Sequence, residues 1–416
     1  MARLRTTLAQ PAVRSVLGAG LVSLTGDWVL RVGLAYYVYA LTGSTVASAV
    51  TLLASFVPQI VLSSLAGVFV DRWNPKRTMV ATNLLLAGGL LPLLLVSRAG
   101  DVWMVYLVMA WEGIVQQFFA PAEQKTLPHV ADSEQLFTVN ALFSQNRDAS
   151  RLLGAALGGV LVAAGGLVPV VLVDVASFLI AAALIARIRL ATSAPTPRST
   201  MSLRGRVSEV RDEWIDGLRL SGRERVLRTL LVFLAVVSVG EGTMGTLFAP
   251  FVRSVLHGTG AAFGLINAAQ AVGGIGGGFL AVLRGRRPDP VAVLGYAAAA
   301  FGTVDLILFL YPLAWPAVWP AATLIAGAGI AGAFMLTAAI TLLQQHTTDR
   351  YRGRVFGALG AVEGLAIAIG TIAAGVLARV FGIVPVLSIQ GAGYIVAGAL
   401  VLVRLHMPRR LAAAPS

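Results

Sequence analysis

Ten ionisable side chains fall where few charges are tolerated: Asp27, Arg31, Glu112, Arg147, Asp148, Arg151, Asp174, Glu241, Asp305 and Glu363 all lie within long apolar runs. In lipid each would cost about 2.5–3.5 kcal/mol on insertion scales, so such groups face a cavity or one another. A carboxyl group withdrawn from water holds its proton more tightly and can exchange it near neutral pH. That is the chemistry of proton coupling. Asp27 and Glu241 are the leading candidates for it, followed by Glu112 and Asp148. Asp27 and Arg31 share a helical face and can pair, as can Asp148 and Arg151. Glu112 shares a face with Gln116. Asp174, Asp305 and Glu363 lie nearer the ends of their runs, where snorkelling to the interface would explain them.

A second constellation is Gly67-Val-Phe-Val-Asp71-Arg72-Trp-Asn-Pro-Lys76-Arg77, a charged turn between two apolar runs. Gly67 allows close helix approach, Asp71 ends the preceding helix, and Arg72, Lys76 and Arg77 suit a movable ion-pair network or lipid phosphates. Tyr36, Tyr37, Gln59, Gln116, Gln117, Phe118, Asn267 and Gln270 could line an apolar cavity with a few orienting polar groups. Interfacial aromatic belts account equally well for the tyrosines.

The elements that must position these residues are membrane helices. Of the 416 residues, 57% are hydrophobic and 12% charged, against roughly 25% charged in soluble domains. Mean hydropathy is +0.81. Twelve runs approach the ~20 apolar residues that span a bilayer: 13–41, 47–70, 78–97, 102–122, 139–164, 167–187, 227–252, 259–283, 291–312, 316–343, 355–379 and 383–404. They are too long and too unbroken for barrel strands. The first continues into Tyr36-Tyr37-Val-Tyr39 and reads as a retained helix, not a signal peptide. Basic residues collect at Arg3, Arg5 and Arg14, at 72–77, from Arg187 to Arg228, at 284–287, at 350–354 and at 404–410. The positive-inside rule therefore puts both termini in the cytoplasm. The net charge of +13 is then mostly a topology signal, and nucleic acid is not an expected partner.

Four domains are expected: a six-helix bundle over 1–189, a cytoplasmic linker over 190–225, a second bundle over 226–405 and a tail over 406–416. In the linker, Val207, Val210, Trp214 and Leu218 recur at helical spacing, as on an amphipathic surface helix. The halves look repeated. Gly154–Leu184 aligns with Gly370–Leu400, with Gly154/Gly370, Gly159-Val-Leu161/Gly375-Val-Leu377 and Val168-Pro169-Val170/Val384-Pro385-Val386 in register. Gly26-Asp27 lies near Gly240-Glu241 at a slightly shorter shift, and Gln59 near Gln270 at a shorter one still. Gly273-Gly274-Ile-Gly276-Gly277-Gly278 has neither strand nor lysine of a phosphate loop and reads as close helix packing.

The chain resembles a major facilitator superfamily transporter over essentially its whole length, and within it the macrolide-efflux type of drug:proton antiporter. The resemblance rests on the Gly67–Arg77 motif, Phe118-Phe119-Ala-Pro121-Ala122 closing the fourth helix, Leu127-Pro128, Asn140-Ala141, Gly154-x3-Gly158-Gly159, Glu213-Trp-Ile-Asp-Gly217-Leu-Arg219 and Arg352-Gly353-Arg354-Val355. It implies an all-α integral membrane protein with twelve transmembrane helices in two pseudo-symmetric six-helix bundles. It also implies export of small hydrophobic compounds by alternating access, driven by a proton gradient without a cofactor, from the cell membrane. Asp71 would meet the start of the eleventh helix at Gly353–Phe356, making Gly67, Asp71, Arg72, Lys76, Arg77, Arg352, Gly353 and Arg354 a conformational gate. Expected partners are a small-molecule substrate, protons and membrane lipid, with the chain acting as a monomer. Asn74 and Pro75 depart from the motif, and Gly154-Ala155 stands where the antiporter motif has Gly-Pro. A lipid or lysophospholipid flippase on the same scaffold is the alternative. An enzyme is not expected, because the four histidines form neither a triad nor a metal site.

Overall fold

The computed structural model describes residues 11–70, 73–130, 136–188, 219, 222, 224–283, 289–347 and 352–406. Among them the regular structure is helical throughout, in twelve long helices. These are α1 (Pro11–Thr42), α2 (Thr45–Val70), α3 (Pro75–Leu90), α4 (Val102–Val130), α5 (Leu136–Gly165), α6 (Leu167–Ala186), α7 (Arg225–Pro250), α8 (Gly260–Leu283), α9 (Pro290–Leu310), α10 (Val318–Gln345), α11 (Arg352–Phe381) and α12 (Ile383–Val401). Short 3-10 turns extend α3 and α9, and π-turns extend α7 and α12. Eleven spans are long and apolar enough to cross a membrane, and α2 adds the shorter apolar stretch Thr45–Gln59. Large apolar side chains such as Leu313 (72% exposed), Val380 (70%) and Ile389 (70%) stand on the outside, as helices dissolved in lipid tails require.

The chain divides into two compact units. Unit 1 holds residues 1–42, 50–202 and 259–268; unit 2 holds 43–49, 203–258 and 269–416. In unit 1, α1 packs against α5 and α6, and α3 against α4 and α6. In unit 2, α7 packs against α11 and α12, and α9 against α10 and α12.

Glycines make these approaches possible, and they recur between the units. A β-carbon at Gly154 would collide with the Thr25 carbonyl, and one at Gly370 with the Val239 carbonyl. Gly113 lies on the Ser55 carbonyl as Gly329 lies on that of Gln270. Gly26 lies on Asp174 and Ser177, and Gly240 on Gln390 and Tyr394. Each pair joins equivalent positions of the repeat. Backbone contact of this kind replaces the hydrophobic drive that is missing in lipid. Gly273 and Gly277 pack on Ala326 and Ile330, as expected for that glycine run.

The turns repeat as well. Gly166 (φ 67°) and Gly382 (φ 87°) begin α6 and α12, each from the left-handed region where glycine carries no Cβ penalty. Gly43 (φ 62°) precedes α2, and at the matching position before α8 stands His257 (φ 53°).

One boundary differs from the sequence expectation. The fourth helix does not close at Phe118–Ala122 but runs through Pro121 to Val130. The Thr126 hydroxyl donates to the Ala122 carbonyl, and Lys125 Nζ donates to the Val70 carbonyl at 3.3 Å. The added turn thus carries a cation that satisfies the last carbonyl of α2.

Candidate functional site

Helix α1 turns one polar face, Asp27, Trp28 and Arg31, away from its fully buried stripe. The Arg31 guanidinium lies over the Trp28 ring at 5.1 Å from its centre, and that of Arg151 from α5 lies over the same ring at 5.4 Å. Two cations on one indole keep both arginine planes ordered. Arg31 also acts electrostatically on Asp27. Oδ1 of Asp27 is buried and makes no hydrogen bond.

Beside Asp27 stand two more carboxylates. Glu112 of α4 is buried; Gln116 Nε2 donates to its Oε1 at 3.0 Å, and its Oε2 has no partner. The expected shared face of Glu112 and Gln116 is therefore a real contact. Asp174 of α6 is fully buried, with Ser177 Oγ 3.1 Å from its Oδ1 and no partner at Oδ2. Asp27 and Glu112 lie within electrostatic reach of Asp174, and Asp27 and Arg31 within reach of Glu112. Unit 1 thus gathers three carboxylates, each with a buried oxygen that no donor satisfies. A polar atom buried without a partner is costly.

Unit 2 arranges its acids otherwise. Glu241 of α7 is exposed, and the Tyr394 hydroxyl of α12 lies 3.3 Å from its Oε1. Asp305 of α9 is 1% exposed and accepts from Gln390 Nε2 at 2.8 Å. Asp174 and Asp305 do not snorkel to an interface, contrary to the sequence expectation. Both point at a neighbouring helix in the interior, because the helical face and not the distance from a run's end decides exposure. Glu363 is exposed, as is Asp148.

The aromatic and amide residues divide. Tyr36 is buried and tilts against Phe263, with ring centres 6.1 Å apart. The Tyr37 hydroxyl donates to the Val96 carbonyl at 3.1 Å, which ties α1 to the end of α3. Gln117 and Asn267 donate to carbonyls of their own helices. Phe118 stacks on Trp73 at 5.7 Å. Gln59 is exposed and Gln270 half-buried.

At the charged turn, Asp71 and Arg72 lie outside the described residues, as do the linker helix expected near Val207–Leu218 and residues 407–416. The backbones at Gly67, Arg352, Gly353 and Arg354 are helical. Asn74 and Pro75, which depart from the motif, have a local purpose. The Asn74 side chain accepts from the Arg77 backbone N–H at 3.0 Å and Pro75 takes the first position of α3, a strong helix start. Lys76 is half-buried and Arg77 exposed.

Two further charges lie beside this turn. Glu123 of α4 is half-buried within electrostatic reach of Arg147, and Lys125 caps α2. Both lie in the turn beyond Ala122, and the available signal was helical spacing, with Glu123 four residues after Phe119 and Lys125 seven after Phe118. Among the described residues, no group of three or more His, Cys, Asp or Glu could hold a metal ion.

Known proteins place this architecture. Macrolide efflux protein A of Streptococcus pyogenes is 25% identical over 369 residues, covering 87% of this chain and 88% of that one. The multidrug efflux pump Tap of Mycobacterium tuberculosis (strain ATCC 25618 / H37Rv) is 26% identical over 411 residues, covering 96% and 94%. Among solved structures, a variant of the peptide transporter POT in complex with alafosfalin superposes with a TM-score of 0.74 at 11% identity, over 98% of each chain. Residues 5–415 match the transmembrane secretion effectors of the major facilitator superfamily, and the chain belongs to that family of transporters, not to a family of enzymes.

Proposed function

We propose that the protein is a proton-driven exporter of small hydrophobic compounds that works by alternating access in the cell membrane. The observation that carries this reading is the set of carboxylates Asp27, Glu112 and Asp174, each with a buried oxygen lacking a hydrogen bond. Protons entering from outside bind there, relax the α1–α6 contact at Gly26 and favour substrate release. Glu241 is the counterpart in the second half, and Asp148 a further coupling candidate. The names of the two relatives, which refer to macrolide and multidrug efflux, support the substrate class.

The repeated glycine contacts support twelve spans in two pseudo-symmetric six-helix bundles, with a cytoplasmic linker over 190–225 and both termini inside. Asp71 with Arg72, Lys76 and Arg77 forms the gate against Arg352–Arg354, and no cofactor takes part. The protein acts as a monomer. Transport into proteoliposomes with and without a pH gradient tests the reading. Asp27→Asn and Glu112→Gln should each abolish the stimulation by the gradient, and full gradient-driven export by both variants would rule the coupling out.

A further inference from the structure

The Asp305–Gln390 contact contains one hydrogen bond and two acceptors left over. Gln390 Nε2 donates to Asp305 Oδ2 at 2.8 Å, while Asp305 Oδ1 and Gln390 Oε1 are buried with no partner. Asp305 is 1% exposed and Gln390 7%, so both are shielded from bulk water. The helices are locked together one turn away, where a β-carbon at Gly302 would strike the Gly391 carbonyl. The Phe301 ring also packs against Tyr394, with centres 4.8 Å apart.

We propose that Asp305 and Gln390 form a second, built-in proton site, a neutral carboxylic acid hydrogen-bonded to a carboxamide. A proton taken from hydronium bonds to Asp305 Oδ1, leaving water, and is donated to Gln390 Oε1. The amide N–H completes the other side, and both orphaned acceptors are satisfied at once. Reversing the amide would set Oε1 against Oδ2, which again demands a proton. A metal cation fits poorly, since hard cations collect about six oxygen ligands and this pair offers two free ones. Glu241 of α7 and Tyr394 of α12 are in electrostatic reach. The α10 segment Val318–Gln345 carries no Asp, Glu, Lys or Arg, and Glu363 of α11 is exposed. Arg225 and Arg228 lie in the first turn of α7, and Arg352, Arg354 and Arg379 in the first and last turns of α11; among the described residues the charged group that acts on Asp305 is the acid Glu241. Glu241 is exposed and the Tyr394 hydroxyl lies 3.3 Å from its Oε1, which places an acid at the outer end of the site. The site is absent from unit 1, where Asp174 occupies the repeat position of Gln390.

Infrared spectroscopy of the full chain in lipid, in light and heavy water at neutral pH, tests this. A protonated-carboxyl C=O band that shifts in heavy water should be smaller in Asp305→Asn. In Gln390→Leu, which keeps the acid but removes its acceptor, the band should move to higher frequency. A band unchanged in both variants overturns the proposal. So does loss of the band from the wild type on adding sodium but not choline, which would assign the site to a metal cation. The readout needs no transport substrate, so its failure leaves the export reading standing.

Discussion

Units 1 and 2 share a scaffold and differ in the polar groups set into it. Gly26 against Asp174 in unit 1 corresponds to Gly240 against Gln390 in unit 2, and Gly154 on the Thr25 carbonyl corresponds to Gly370 on that of Val239. Yet unit 1 places three carboxylates around its contact, whereas unit 2 holds one buried acid, Asp305, bonded to an amide of another helix, and one exposed acid beside a tyrosine; a buried oxygen without a partner is common to Asp305 and the three acids of unit 1. Close packing tolerates little change at a backbone contact, so the glycine pattern persists in both halves. The side chains beside it are free to diverge, and there the two halves carry different polar groups.

The largest expected effects break what is common. Gly154→Leu and Gly370→Leu each force a side chain into a neighbouring backbone and should cost about 3 kcal/mol or more; loss of the monodisperse peak in size-exclusion chromatography checks both. Tolerance of one and not the other would mean that the repeat is not mechanically equivalent. The next pair separates the units. Gln390→Leu leaves Asp305 without its donor and should destabilise by about 1–3 kcal/mol, read by thermal unfolding in detergent. Asp174→Asn should change stability by under about 1 kcal/mol, because the Ser177 contact survives, yet impair gradient-driven export.

Smaller effects sharpen the comparison at the turns. His257 is held at φ 53° where the first half has Gly43. His257→Gly should stabilise, and Gly43→Ala destabilise, by about 1 kcal/mol each, measured by the same unfolding assay. Asn74→Ala should cost about 1 kcal/mol by removing the cap of α3. The smallest change is Arg151→Lys. It replaces a planar guanidinium over Trp28 by a point charge and should cost about 0.5 kcal/mol.

Helix positions were legible in the sequence because an uninterrupted apolar run of bilayer length finds no comparable solvent in water. The end of α4 was not, since Pro121 reads as a stop; the helix passes through it and continues to Val130. Asp27, Glu112 and Glu241 stood out as charges in apolar runs, but their surroundings did not. Glu112 meets the fields of Asp27 and Arg31 across helices far apart in the chain, and no local spacing encodes that. Asp174 and Asp305 were misjudged by their distance from a run's end. The Gly26/Gly240 correspondence, faint as sequence, is firm as structure because each glycine meets the same repeat position. Asn74-Pro75 looked like a weakened motif and is a well-formed helix start.

The most direct test of the central claim is gradient-driven efflux in proteoliposomes by wild type, Asp27→Asn and Glu112→Gln, beside substrate counterflow without a gradient. The account predicts that both variants lose the response to the proton gradient while counterflow persists. Undiminished gradient-driven efflux in both would contradict it and move the coupling out of unit 1.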